Sequence, residues 1–344
     1  MTVSRAIEAR RLRRDVRRLE RERRSRNDVT ELLGESPAVE QVLKQIRMVA
    51  RAETPVLVVG ETGTGKELVA DLVHRLSSRA QGPLVKVNCS AFSEQILESE
   101  LFGHEKGAFT DAKEARAGLF EMSDGGTLFL DEISEMKPGL QAKLLRVTEG
   151  HPFRRVGGQR DVRSDVRLVA ATNRDLAALI ETGQFRKDLY FRLNAFQITA
   201  PPLRDRGRDI VLLSRFFLER SATTLRRGLL QLSPAAEELL LSYPWPGNVR
   251  ELRNVIERAA ILCESGTVGV EHLPSQLQAS SYVQRLAAKG AGSIPSLAEV
   301  ERRYIDHVLE LVGGNLSEAA RALGIARNTL KARLRMPDEP SARA

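Results

Sequence analysis

Cysteine is nearly missing from this chain: its 344 residues hold two, Cys89 and Cys263. Each sits among apolar neighbours with no ligand-like spacing between them. That excludes a disulfide framework or a zinc site and points to buried free thiols in a cytosolic protein. No apolar run approaches the roughly 20 residues that a bilayer span needs, so no membrane role is expected. The arginine-rich start has neither an apolar core nor a cleavage site and is not a signal peptide. Beyond that start, excess charge is missing too. Residues 1–26 hold eleven Arg against four acids, +7 of the total +8, and the main body is close to neutral. Such a length, with 42% hydrophobic residues, is enough for two or three domains with real cores.

What is present centres on Val56 to Glu67, VLVVGETGTGKE. A β-branched run enters a glycine-rich turn ending in lysine, and a helix-compatible stretch follows. This is the strand, phosphate loop and helix of a nucleotide site. Gly60, Gly63 and Gly65, with Glu61, Thr62 and Thr64 between them, let backbone N–H groups curl around a triphosphate. Lys66 reaches its outer phosphates. Glu67 occupies the position where the general motif has Ser or Thr, and it has no hydroxyl to offer Mg²⁺. The other half of the site must therefore lie elsewhere.

GGTLFLDEI (125–133) supplies it: an apolar strand ending in Asp131, suited to Mg²⁺, and Glu132, suited to polarising an attacking water. VRLVAATN (166–173) reads as a buried strand ending in Thr172 and Asn173, an amide able to hold a water or a γ-phosphate. FRKDLYFRL (185–193) carries Arg186 and Arg192, two cations that would stabilise a phosphoryl group only across a subunit interface.

The remaining stretches are less specific. Residues 5–26 are helix formers with a narrow coiled-coil seam at Ala9, Leu12, Val16 and Leu19; a solvated arginine tail and attachment to DNA phosphates fit them as well. Ser36-Pro37 starts a helix with Val39, Val42, Ile46 and Val49 on one face. LVKVNC (84–89) is a strand, residues 93–101 a helix, and FGHEKGAFTDAKEARAGLF (102–120) an aperiodic projecting loop. Pro201-Pro202 opens a helical region to about 275, in which YPWPGNVRELRNVIERAAIL (243–262) launches a long amphipathic helix; residues 276–296 read as a linker. The segment 296–335 holds three helical patterns, with Leu323-Gly324-Ile325 as the tight turn of a helix-turn-helix. Its last helix offers Arg327, Asn328, Thr329, Lys331, Arg333 and Arg335 to bases and phosphates.

Together these stretches resemble the NtrC-type family of bacterial enhancer-binding proteins, AAA+ ATPases that activate sigma-54 RNA polymerase. GETGTGKE is similar to the family's phosphate loop, with Glu in the last place, and FGHEKGAFTDA to its sigma-54-contacting loop. GGTLFLDEI is similar to its Walker B strand, AATN to its sensor I, FRKDLYFRL to its arginine-finger segment, and WPGNVREL to its sensor II. The C-terminus looks like its Fis-type DNA-binding domain. The resemblance implies an α/β AAA+ parallel sheet of strand order 5-1-4-3-2 with a helical lid, and a C-terminal all-α helix-turn-helix domain. The implied domains are a basic linker 1–28, the large subdomain 29–200, the lid 201–275, a linker 276–295, the DNA-binding domain 296–336 and a disordered tail 337–344. ATP and Mg²⁺ would be held and used by Lys66, Asp131 and Glu132. Asn88 would restrain Glu132 until the γ-phosphate is sensed, Asn173 would be sensor I, and Arg250 would respond to nucleotide state. Arg186 and Arg192 would reach the next protomer's ATP in a ring built from dimers to hexamers. Gly107, Ala108, Phe109, Thr110, Asp111 and Ala112 would touch sigma-54, and the final helix would grip an upstream double-stranded DNA site.

Two departures stand out. Asp111 replaces the second glycine of the family's GAFTGA loop, and no receiver or sensory domain precedes the 5–26 helix, which resembles the linker that would follow one. Either regulation comes by other means or the sequence is part of a longer protein. The expected function is ATP-driven conversion of closed sigma-54 promoter complexes into open ones. The rival is a DNA-binding regulator, a repressor or sigma-70 partner, whose ATPase serves only assembly.

Overall fold

A computed structural model describes residues 32–109, 112, 114–277 and most of 301–335. The expected N-terminal seam, most of the 276–295 linker, the C-terminal tail, and Thr110 and Asp111 lie outside these residues. By contacts the chain forms two units. One comprises residues up to Gln231 together with Pro244–Leu262, and the other Leu232–Tyr243 with the residues from Cys263 onward.

The first unit is built on five parallel strands: β1 (Val56–Val59), β2 (Leu84–Asn88), β3 (Thr127–Asp131), β4 (Arg167–Thr172) and β5 (Phe196–Thr199). They lie in the order β5-β1-β4-β3-β2, as the family resemblance implied. β5 escapes the sequence reading, because FQIT is short and only one of its four residues, Ile198, is fully buried. β1, β3 and β4 read clearly because both faces are covered, which favours unbroken apolar runs over alternation. Leu57, Leu128, Leu130, Leu168 and Ala170 face one core, and Val56, Val58, Phe129, Val169 and Ala171 the other. That is the two-residue period of a strand sandwiched between helices.

The helices follow in chain order: α1 (Pro37–Ala50), α2 (Lys66–Arg75), α3 (Glu94–Phe102), α4 (Pro138–Thr148), α5 (Leu176–Glu181), α6 (Lys187–Leu193), α7 (Asp209–Leu225), α8 (Pro234–Ser242) and α9 (Asn248–Leu262). α1 and α2 cover the valine-rich face; α3 to α6 cover the other. α1 starts as Ser36-Pro37 dictates, with the Ser36 hydroxyl accepting from the Val39 N–H. Buried Asp209 adds a second cap, accepting from the Glu35 and Ser36 N–H groups at 2.7 and 3.1 Å. At the other end, buried Arg167 donates to the Val49 and Ala50 carbonyls at 2.8 and 2.7 Å, satisfying acceptors that a helix terminus leaves open. α7 packs on α9 within the same unit as the sheet.

In the second unit, α10 (Leu316–Ala322) and α11 (Arg327–Arg335) meet at Gly324, whose φ of +67° makes the turn. Asn315 caps α10. Ala319, Ala320, Leu330, Ile305 and Val308 form the small core.

Candidate functional site

The register brings the predicted residues to one edge of the sheet. Val59 lies beside Thr172 and Asn88 beside Asp131, so the strands' carboxyl ends share a level. Ligands bind at this edge in parallel α/β sheets. From β1 the chain turns through residues 60–65 into α2, with Gly63 at φ +81° and Gly65 at +97°, conformations that suit glycine. Lys66 is buried; its ammonium donates to the Gly60 and Glu61 carbonyls at 2.9 and 3.3 Å and lies 3.8 Å from Glu132 Oε1. Burial lowers its pKa, opposed by the attraction of Glu132 and Asp131.

Glu132 adopts φ +51° and ψ +50°, a left-handed conformation rare for a non-glycine residue and concentrated at functional sites. The turn brings its carboxylate back over the phosphate loop. Burial raises the pKa of both Asp131 and Glu132, against the pull of Lys66. Burial also pushes the Cys89 thiol up to about 12; both cysteines are buried and free, as read from sequence.

Asn88 donates from Nδ2 to Asp131 Oδ2 at 3.2 Å, so its bond goes to the metal-type carboxylate rather than to Glu132 as the resemblance implied. Glu132 receives the backbone N–H of Asn173, whose side chain donates to Thr62 Oγ1 at 2.8 Å. Glu67 turns away from the cradle: with Asp71 it binds the Lys86 ammonium, at 2.8 and 2.6 Å. Arg250, in the first turn of α9, places its charge within reach of both Lys66 and Asp131.

Arg186 and Arg192 stand apart from this cluster and are exposed. The Arg186 guanidinium forks onto Asp188 at 3.0 and 2.6 Å, and Arg192 donates twice to the Thr148 carbonyl. The projecting loop is braced at its base. Glu105 N–H donates to the Val156 carbonyl, Val156 N–H to that of Gly103, and Arg155 bridges Glu105 and Glu121. Gly107 N–H donates to Ala112 O at 2.8 Å, closing the turn. Near its tip Phe109 is 47% exposed, with its ring edge-on to His104 at 5.0 Å.

In α11, Arg327, Asn328, Thr329, Lys331 and Arg333 are all exposed around buried Leu330. Arg333 is ion-paired to Glu301. The side chain of Arg335 lies outside the described residues.

Sequence reasoning missed the groups that hold the phosphate loop from outside. Glu61 accepts two bonds from Arg204, at 2.6 and 2.9 Å, and one from Asn248 at 3.0 Å, which hold its pKa at about 2. Asn248 is fully buried at φ +52°. The one available signal was its place in WPGN, where a short amide favours a left-handed turn.

The comparisons follow this geometry. Residues 32–199 match the family described as "Sigma-54 interaction domain", 204–289 the "AAA+ ATPase lid domain", and 296–336 the "Bacterial regulatory protein, Fis family". Over 303 residues the chain is 48% identical to the transcriptional regulatory protein ZraR of Klebsiella oxytoca, covering 88% of this chain and 68% of that one. The chain belongs to the NtrC-type sigma-54 activators. As a member of this family it is also 43% identical over 338 residues to the regulatory protein AtoC of Escherichia coli K12, covering 97% of this chain and 73% of AtoC. Crystal structures of NtrX from Brucella abortus resemble this sigma-54 activator. The complex with ATP superposes with a TM-score of 0.68 at 35% identity, covering 96% of this chain and 73% of NtrX. The complex with ADP gives 0.69 at 33% identity, covering 96% and 74%. This sigma-54 activator is therefore an ATPase with a Fis-type helix-turn-helix. Among its described residues no helix is long and apolar enough to cross a membrane.

Proposed function

We propose that this activator uses ATP hydrolysis to drive Phe109 and its loop against sigma-54, remodelling closed promoter complexes into open ones, while α11 tethers it to upstream DNA. The observation that carries this reading is an exposed aromatic on a braced loop, in the same unit as the phosphate loop. Bracing matters because force is transmitted only by an element that does not fold back under load.

For hydrolysis, Lys66 exchanges its loop carbonyls for the outer phosphates. Glu132, whose burial raises its pKa toward that of a working base, orients the attacking water. The donor set fits Mg²⁺: Asp131 is a desolvated carboxylate whose burial outweighs the pull of Lys66 and Arg250, and with Glu67 committed to Lys86 the ion would keep most of its waters, as Mg²⁺ prefers. When bound, Mg²⁺ would neutralise phosphate charge. Arg186 and Arg192 act on the neighbouring protomer's ATP in a ring, which requires leaving Asp188 and the Thr148 carbonyl. Asn173 couples the γ-phosphate to Glu132 through its backbone N–H.

The test is open-complex formation by sigma-54 holoenzyme on a sigma-54 promoter. Opening that requires hydrolysable ATP, and that Phe109→Ala abolishes while ATPase persists, supports the reading. Opening that survives Phe109→Ala overturns the loop assignment. ATPase without opening favours the DNA-binding regulator, the reading to which Asp111 lends weight.

A further inference from the structure

Four consecutive residues of the phosphate loop are gripped from outside by residues 204–249. The Thr62 carbonyl accepts from Asn248 Nδ2 at 3.1 Å, the Gly63 carbonyl from the Val249 N–H at 3.0 Å, and the Thr64 carbonyl from Arg206 Nη2 at 2.7 Å. Carbonyls fixed on one side of a tight loop leave the other side to N–H groups, the geometry of an anion nest, although the Thr64 N–H donates within the loop to the Glu61 carbonyl at 3.4 Å. The fourth member, Glu61, is anchored through its side chain, to Arg204 and Asn248. Asn248 also accepts the Leu203 N–H at 2.8 Å, so one amide ties the loop to two other stretches of chain.

Glu61 poses an electrostatic problem. Its carboxylate is ionised at every working pH, and it sits in a loop that receives a triphosphate. A fixed negative charge in a loop that holds phosphates opposes binding unless a cation stays beside it. Arg204 is that cation. It is planar, permanently charged and engaged on both carboxylate oxygens.

We propose that Arg204, acting through Glu61, is a positioning residue for the triphosphate: it cancels the charge of a carboxylate that the loop uses as an anchor and that the nucleotide would otherwise meet as a repulsive neighbour. This rests on residues 60–66 being the ATP site. The Glu61–Arg204 pair thereby makes ATP affinity depend on where residues 203–206 sit, and it links the phosphate loop to the helical segment that begins there.

The charge argument makes an asymmetric prediction that a merely structural contact does not share. Binding of a fluorescent ATP analogue is titrated with the full chain and its Arg204→Gln, Glu61→Gln and double variants, with Lys66→Ala marking the floor. Arg204→Gln weakens binding about tenfold or more, because it strands the carboxylate; Glu61→Gln, which keeps an acceptor for Asn248, weakens it by about threefold or less. The double variant recovers to within about threefold of Glu61→Gln alone. The Arg204→Gln defect also shrinks as salt is raised, because the repulsion is screened. A double variant as weak as Arg204→Gln, or a defect indifferent to salt, overturns the proposal. Should Arg204→Gln fail to fold, judged by thermal melting without nucleotide, Arg204→Lys carries the test: it loses the two-point fork but keeps the charge beside Glu61, so affinity stays well above the Lys66→Ala floor, and a loss to that floor rejects the idea. Failure of the unsubstituted chain to bind the analogue would sink the ATP-site reading itself, a result distinct from all of these.

Discussion

Asn88 holds Asp131 and leaves Glu132 to Lys66 and Asn173. In this arrangement the amide steadies the metal-type carboxylate, while the carboxylate suited to orienting water is governed from β4 and the phosphate loop. The two acids share the pull of Lys66 but differ in their hydrogen-bond partners, so the Asn88 contact can be perturbed separately.

Asn88→Ala tests that separation. It removes a neighbour that orients Asp131 without touching the phosphate cradle. ATP affinity is expected to stay within a few-fold, and turnover to fall by about 10–100-fold, the usual cost of losing an outer-shell partner. Steady-state ATPase with a parallel binding titration reads both; a large loss of affinity with turnover intact would contradict the assignment.

Asp131→Asn should stabilise the nucleotide-free protein while abolishing hydrolysis. Burial raises the folded-state pKa of Asp131, so the folded protein binds the proton more tightly than the unfolded chain. Stability is thus lost as pH rises through that folded value, and the charged group burdens the fold at neutral pH. The variant's thermal midpoint should exceed the parent's by a few degrees at pH 7–8, given about 2–4 °C per kcal/mol in a domain of this size. The gap should close as pH falls into the ordinary carboxylate range, where both forms are neutral. Melting curves at several pH values decide the sign.

Arg186 and Arg192 are each occupied within their own chain, on Asp188 and the Thr148 carbonyl, away from the phosphate loop. If they work across an interface, Lys66→Ala and Arg192→Ala chains are each inactive alone but complement when mixed. With random assembly, about a quarter of head-to-tail interfaces would pair an intact site with an intact arginine, and ATPase should recover accordingly. Mixtures with no more activity than the separate variants would place the arginines outside the reaction.

Arg167 and Arg192 both donate to helix-end carbonyls, but only Arg167 is buried. Arg167→Ala strands two carbonyls at the end of α1 and should cost about 3 kcal/mol, or roughly 6–12 °C in thermal midpoint. Arg192→Ala exposes its carbonyl partner to water and should stay within about 0.5 kcal/mol. Equal losses would mean that burial does not set the cost.

The strands of the sheet and the residues at their carboxyl ends were legible because their chemistry is local. Glycines of positive φ, a lysine at a helix start and carboxylates after an apolar run each declare themselves within a few positions. β5 was not legible, since FQIT is short and lacks the unbroken apolar run that marks β1, β3 and β4. The Glu61–Arg204–Asn248 contacts were hidden for another reason. They join positions 143 and 187 residues apart, and an exposed-looking Glu or Arg carries no mark of a distant partner. Arg167 gave no signal either: at a strand's start it passes for a solvated cation, and only the packed structure brings the end of α1 to it.

The helix that begins at Pro37 is capped by Asp209, more than 170 residues further along. The stretch matched as the sigma-54 interaction domain ends at residue 199, before this carboxylate and before Arg204, Arg206 and Asn248. A piece of chain cut at that boundary would keep every residue of the phosphate loop and lose the groups that shape it, along with a helix cap. The smallest portion able to hold a nucleotide loop in its working form is thus set by where its hydrogen bonds close. That portion extends into α9, well past the end of the stretch matched as the sigma-54 interaction domain and into the one matched as the lid.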